Sequence, residues 1–132
     1  QFNHWEIPVQ NWWAQNGSKY AITTLSNKPT ALDDVHTDAA KPDISIIEPN
    51  TSTTYSPNQK ISVVISNLKP VPLARLDIFV NDTYIGTSES PFVFSFTPSE
   101  IQNWQAENEL KIIAYDSYYN KSEKIIMFKV RQ

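Results

Sequence analysis

From Pro42 onward, apolar and polar residues alternate with a period of two, and this constrains the fold more than any other feature of the chain. Ile44 and Ile46, then Ile61, Val63 and Ile65, then Leu76, Ile78 and Val80 take every second position, with Ser45, Ser62 and Asp77 among the residues between them. Phe92, Phe94 and Phe96 repeat the pattern, as do Leu110, Ile112 and Ala114, and then Ile126, Phe128 and Val130. A strand with one face in a core and the other toward water needs this spacing, because successive side chains point to opposite sides. With a short strand around Tyr84 to Thr87, about seven strands are predicted. Between them stand turn-forming residues: Pro49-Asn50, Pro57-Asn58, Lys69-Pro-Val-Pro72, Asn81-Asp82, Ser90-Pro91 and Ser117 to Asn120. Asn81-Asp82 suits a hairpin although it lacks the favoured Gly. Ser99 is placed to cap a helical turn that carries Trp104 on its inner side. Strands without intervening helices predict an all-β chain, an antiparallel β-sandwich over residues 42–132.

Residues 1–41 read differently, as the tail of a preceding domain plus a linker. Pro8 suits the first turn of a helix, Val9, Trp12 and Trp13 fall at i, i+3 and i+4, and Gly17 is placed to end it, so a helix of about two turns is predicted. So short a helix is unstable alone. Burying one Trp, roughly 200 Å² at about 25 cal/mol/Å², is worth up to about 5 kcal/mol. Trp5, Trp12 and Trp13 are therefore candidate partner-contact residues, and a neighbour is implied. From Tyr20 to Pro42 no periodicity persists, and Pro29 and Pro42 punctuate a linker or extended strap that includes Leu25 to Pro29 and Asp33 to Thr37.

Composition narrows the function classes. Hydrophobic residues make up 40% and charged residues 19% of the 132, enough apolar material for a core. A net charge of −3 with scattered Lys and Arg provides no basic face for nucleic acid. The absence of Cys removes thiolate chemistry, disulfides and the common zinc ribbons. No apolar run of membrane-spanning length occurs, so membrane attachment is expected only through an anchor outside this chain. The start, Gln1-Phe-Asn-His4, reads as that of a mature or excised piece. The two glycines, Gly17 and Gly86, cannot make a phosphate loop, a dinucleotide fingerprint or a nucleophile elbow, each of which needs glycines close together. His4 and His36 lie outside any metal motif, and Asp33, Asp34 and Asp38 lack the Gly turn and terminal Glu of a calcium loop. No catalytic residue, cofactor or metal ligand is expected.

Aromatic residues carry the one ligand-binding candidate. Trp104, Tyr118 and Tyr119 lie near the last two loops, with Tyr115 close by, and sugar rings stack well on exposed aromatic faces. In the alternative, Trp104 plugs one end of the sandwich, Tyr115 covers a sheet face, and one of Tyr118 and Tyr119 is exposed.

Several stretches from Pro42 to Val130 resemble bacterial Ig-like repeats: Ile44-Ser-Ile-Ile-Glu-Pro49, the run Leu76 to Gly86, Pro91 to Phe94, and Ala114-Tyr-Asp116 leading to Asn120. Tyr119 stands where such repeats carry Gly, which suggests a wider turn. The stretch Gln1 to Trp12 resembles the segment that follows the transpeptidase domain in bifunctional (class A) penicillin-binding proteins, and Lys28 to Thr37 resembles their connector into a C-terminal Ig-like domain. The resemblance implies a non-catalytic, extracytoplasmic accessory domain of a peptidoglycan synthase in the cell envelope. Its partners would be the upstream transpeptidase domain or another envelope protein, with peptidoglycan or another glycan as ligand. The transpeptidase motifs are not carried over: Ser66 to Lys69 and Ser56 to Asn58 match two of them by letter but in reversed order, with no third motif. The alternative is a carbohydrate-binding or spacer module of a secreted glycoside hydrolase or an adhesin.

Overall fold

The computed structural model describes residues 2–20 and 33–132; the predicted break from Leu25 to Pro29 lies outside the described residues, as do the side chains of residues 2–5. The chain forms two compact units that divide between Leu32 and Asp33.

In the first unit, helix α1 spans Phe2–Asn16 and a 3-10 turn follows over Gly17–Tyr20. The two-turn helix expected from Pro8 is thus too short. Pro8 lies inside α1, where it has no N–H to give the carbonyl four residues back, and the turn ahead of it is helical as well. Gly17 ends the α-helix as its position suggested. It lies under the Trp13 indole, and a Cβ added there would come within 3.0 Å of the ring.

The second unit is a β-sandwich of eight strands. These are β1 (Ile44–Glu48), β2 (Thr54–Tyr55), β3 (Ile61–Asn67), β4 (Leu73–Val80), β5 (Thr83–Glu89), β6 (Phe94–Phe96), β7 (Glu107–Asp116) and β8 (Lys121–Val130). One sheet has the order β1-β3-β6 and the other β2-β8-β7-β4-β5. The pairings are antiparallel except for β2, which runs parallel to the end of β8. The alternating residues point inward as their period requires. Leu76, Ile78 and Val80 of β4 and Leu110, Ile112 and Ala114 of β7 face Ile44, Ile61 and Val63 across the core, with Phe96 edge-on to Phe128 at 5.7 Å between centroids.

Local deviations have identifiable causes. Phe92 leaves the predicted strand with φ 58°, so β6 begins only at Phe94, although the Phe92 ring still packs on the core. The 3-10 turn Pro98–Glu100 has Thr97 at its N-cap with no side-chain capping bond, so Ser99 is not the cap. Asn81 and Asp82 both take positive φ, 47° and 61°, the two-residue hairpin geometry that matches strand twist. Asn108 replaces what the missing Gly would have supplied. Fully buried, it accepts from the Asn81 side chain at 2.9 Å and from the Gln105 N–H at 2.7 Å, while Asn81 Oδ1 accepts from the Glu109 N–H at 2.9 Å. These bonds hold the turn in a left-handed conformation that Asn tolerates better than most residues.

Candidate functional site

The β7–β8 hairpin tip gathers the densest polar network involving the sequence candidates. Tyr115 pairs with Lys121, and Asp116 to Asn120 close the turn. Asp116 is 2% exposed. Its Oδ1 accepts from the Tyr118 N–H at 2.8 Å and the Asn120 N–H at 3.0 Å, and its Oδ2 accepts from Asn120 Nδ2 at 2.9 Å. Burial by itself pushes this carboxyl up. The Asn120 side chain and the Tyr118 and Asn120 amides outweigh it and hold Asp116 below the ordinary aspartate value, with His36 adding to the same effect.

The strap of residues 33–41 docks on this tip. Asp33 Oδ1 accepts from the N–H groups of Val35 and His36 at 2.9 and 3.2 Å, an Asx turn that aims the imidazole. His36 Nε2 then lies 3.1 Å from the Tyr118 carbonyl, and Nδ1 lies 2.5 Å from Asp33 Oδ2. Asn120 Nδ2 donates to the Val35 carbonyl at 3.0 Å. Further along, Lys69 Nζ donates to the carbonyls of Ala39 and Lys41 at 2.9 and 2.8 Å. The strap is therefore tied to the β7–β8 turn and to the β3–β4 loop before β1 begins.

The ligand candidates do not form one site. Trp104 stands before β7 and Tyr118 and Tyr119 after it, so the ten residues of β7 separate them by on the order of 30 Å. Trp104 is half-buried and packs against the core, in keeping with the plug reading. Tyr118 and Tyr119 are both exposed, at 57% and 82%, rather than one of them. Tyr119 has φ 64°, a left-handed conformation that favours Gly; the turn tolerates the strain and is closed by the Tyr119 N–H on the Asp116 carbonyl. Tyr119→Gly is expected to raise stability by about 1 kcal/mol in urea unfolding, since little packing is lost. A drop instead would show that the ring is engaged on the folded surface. Of the partner-contact candidates, Trp12 and Trp13 have ring centroids 6.3 Å apart, and Trp12 is half exposed. The Trp5 ring lies outside the described residues.

The outer face of the larger sheet carries a second cluster, unseen in the sequence because its members come from three strands. The Tyr84 hydroxyl meets Thr87 Oγ1 at 2.8 Å, Thr87 donates to Asp77 Oδ1 at 2.7 Å, and Arg75 Nη2 donates to Asp77 Oδ2 at 3.3 Å. The guanidinium lies 4.3 Å above the Tyr115 ring, so Tyr115 does cover a sheet face. Lys111, paired with Asp82, stands over Phe79. Asp77 thus joins Thr87 and Arg75 in one network, although the Arg75 Nε, 3.2 Å from Asp77 Oδ1, is buried without a hydrogen-bond partner. His36 has both ring nitrogens engaged. Among the described residues, no three His, Asp or Glu side chains are placed to hold a metal, and no helix is long and apolar enough to cross a membrane.

Comparison with known proteins adds the following. Residues 42–109 match the family described as the bacterial Ig domain. No curated protein matches the chain. Among solved structures, the fibronectin(III)-like modules of CbhA from Clostridium thermocellum are 17% identical with a TM-score of 0.55, over 68% of this chain and 98% of that one. The spore cortex lytic enzyme SleM of Clostridium perfringens is 20% identical with a TM-score of 0.49, over 70% of this chain but only 30% of that enzyme.

Proposed function

The chain belongs to the bacterial Ig domain family, and from that premise we propose that it is a non-catalytic accessory module of a larger bacterial envelope protein, one that holds and orients rather than reacts. The observation that carries this reading is the tied strap. Residues 33–41, ahead of the first strand, are fixed to the sandwich by Asn120, His36 and Lys69, so the folded module extends beyond its strands. A flexible tether would need none of these bonds.

The finer reading places the module outside the membrane in a class A penicillin-binding protein, as a spacer or docking domain with a weak contact to peptidoglycan. It rests on the sequence stretches Gln1 to Trp12 and Lys28 to Thr37. A spacer or carbohydrate-binding module of a secreted glycoside hydrolase or an adhesin uses the same fold, so the fold does not choose between them. For wall contact, the Tyr118-Tyr119 tip is the most exposed part of the expected ligand set, and the strained backbone of Tyr119 is a reason to test it for binding.

Co-sedimentation with peptidoglycan sacculi, with cellulose and chitin as controls, tests this. Retention is expected on sacculi above both controls, and Tyr119→Gly is expected to lower it several-fold while leaving the protein at least as stable. Retention on cellulose or chitin instead would favour the hydrolase reading. Binding to none of the three would remove the wall contact and leave spacing and docking.

A further inference from the structure

We infer that His36 makes the strap a pH-gated latch, closed on the β7–β8 turn when the imidazole is protonated and loosened when it is neutral. The geometry asks for two donors from one ring. Nδ1 faces the Asp33 carboxylate at 2.5 Å and Nε2 faces the Tyr118 carbonyl at 3.1 Å, and both partners only accept. A neutral imidazole carries one N–H. With the proton on Nδ1, the Nε2 lone pair points at the Tyr118 carbonyl; with the proton on Nε2, the Nδ1 lone pair points at a carboxylate. Either tautomer sets two acceptors against each other, and only the imidazolium satisfies both contacts.

The charged groups acting on the ring agree in sign. Asp33 lies on the strap itself and Asp116 at the end of β7, and each favours the cation. The hydrogen bond to Asp33 acts first, then that to the Tyr118 carbonyl, and together they raise His36 above its ordinary value. The ring is more than half exposed, so water reaches it and screens the effect. A folded value raised above the unfolded one means that the latch contributes fully below the ordinary histidine value and loses its hold as the pH rises through the folded value. The Asn120 bond to Val35 and the Lys69 bonds keep the strap near the sandwich in both states. Protonation therefore sets how firmly the strap is held on the β7–β8 turn. The inference concerns this attachment and stands whichever parent protein carries the module.

The test is NMR titration of the full chain. The His36 ring should titrate above the value of an unstructured histidine, about 6.5, and Asp33→Asn should bring it down. Amide exchange over residues 35–41, corrected for its intrinsic pH dependence and compared with the Ile112 amide in the core, should rise about two- to fivefold between about pH 5.5 and about pH 8. His36→Gln should flatten that rise, and His4→Gln should leave it intact. Titration of the ring at or below the free value, or a rise that survives in His36→Gln, would overturn the latch.

Discussion

Asp116→Ala is expected to destabilise the sandwich by about 3 kcal/mol, lowering the melting temperature by roughly 15 °C. The carboxylate is buried and accepts three hydrogen bonds, two from backbone N–H groups of the turn and one from Asn120. Removing it strands those donors where water reaches them poorly, and bonds to a charged acceptor are the stronger kind. Asn120 is buried too, and it also holds Val35, so the loss should reach the strap. Urea unfolding together with amide exchange over residues 33–41 checks both parts. A variant within about 1 kcal/mol of the parent would mean that the turn holds itself without the carboxylate. The network also has a pH signature. A folded value below the unfolded one places the contribution of Asp116 above the ordinary aspartate value, and it is lost as the pH falls through the folded value. Acid unfolding of the parent should therefore be steeper than that of Asp116→Asn, which cannot lose this proton-linked portion.

Gly86→Ala is expected to be comparably damaging, by about 3 kcal/mol. Gly86 has φ 156°, and it sits at the irregularity in the β4–β5 register where Ile78 pairs with Gly86 but Phe79 pairs with Tyr84. A methyl group there would meet the Phe94 ring at 2.6 and 2.9 Å, well inside contact distance. Phe94 packs against the core from the opposite sheet, so its ring has limited room to retreat. Backbone strain and overpacking thus add. Combining Gly86→Ala with Phe94→Leu separates them: the double variant should be at least about 1 kcal/mol more stable than the sum of the two losses predicts. Strict additivity would assign the whole effect to the backbone and remove the Phe94 contact as a cause.

Parts of this molecule were legible along the chain because their causes are local. The inward residues of β3, β4, β7 and β8 follow from a period of two, and the breaks between strands follow from Pro, Asn, Asp and Ser with short-range preferences of their own. The parallel β2 escaped notice because a strand of two residues has no period to show. Helix α1 runs longer than Pro8 suggests, because Pro8 suits a first helical turn better than an interior one yet stands inside it. At Tyr119, the hydrogen bonds that the Asp116 carboxylate accepts from Asn120 brace a turn in which a Tyr takes a left-handed backbone conformation.

The candidate site divides along the same line. Alternation and turn chemistry made the chain a β-sandwich and placed Tyr118 and Tyr119 in its last hairpin. Neither could show that the ten residues of β7 would set Trp104 and the two tyrosines at opposite ends of the sandwich. Nor could they show that His36 would meet a carbonyl 82 positions away and Val35 a side chain 85 positions away, binding an apparent linker to the domain. Side-chain direction in a strand is a property of neighbouring residues, whereas a contact across such a separation exists only after the sheets have closed and brought the chain back past itself.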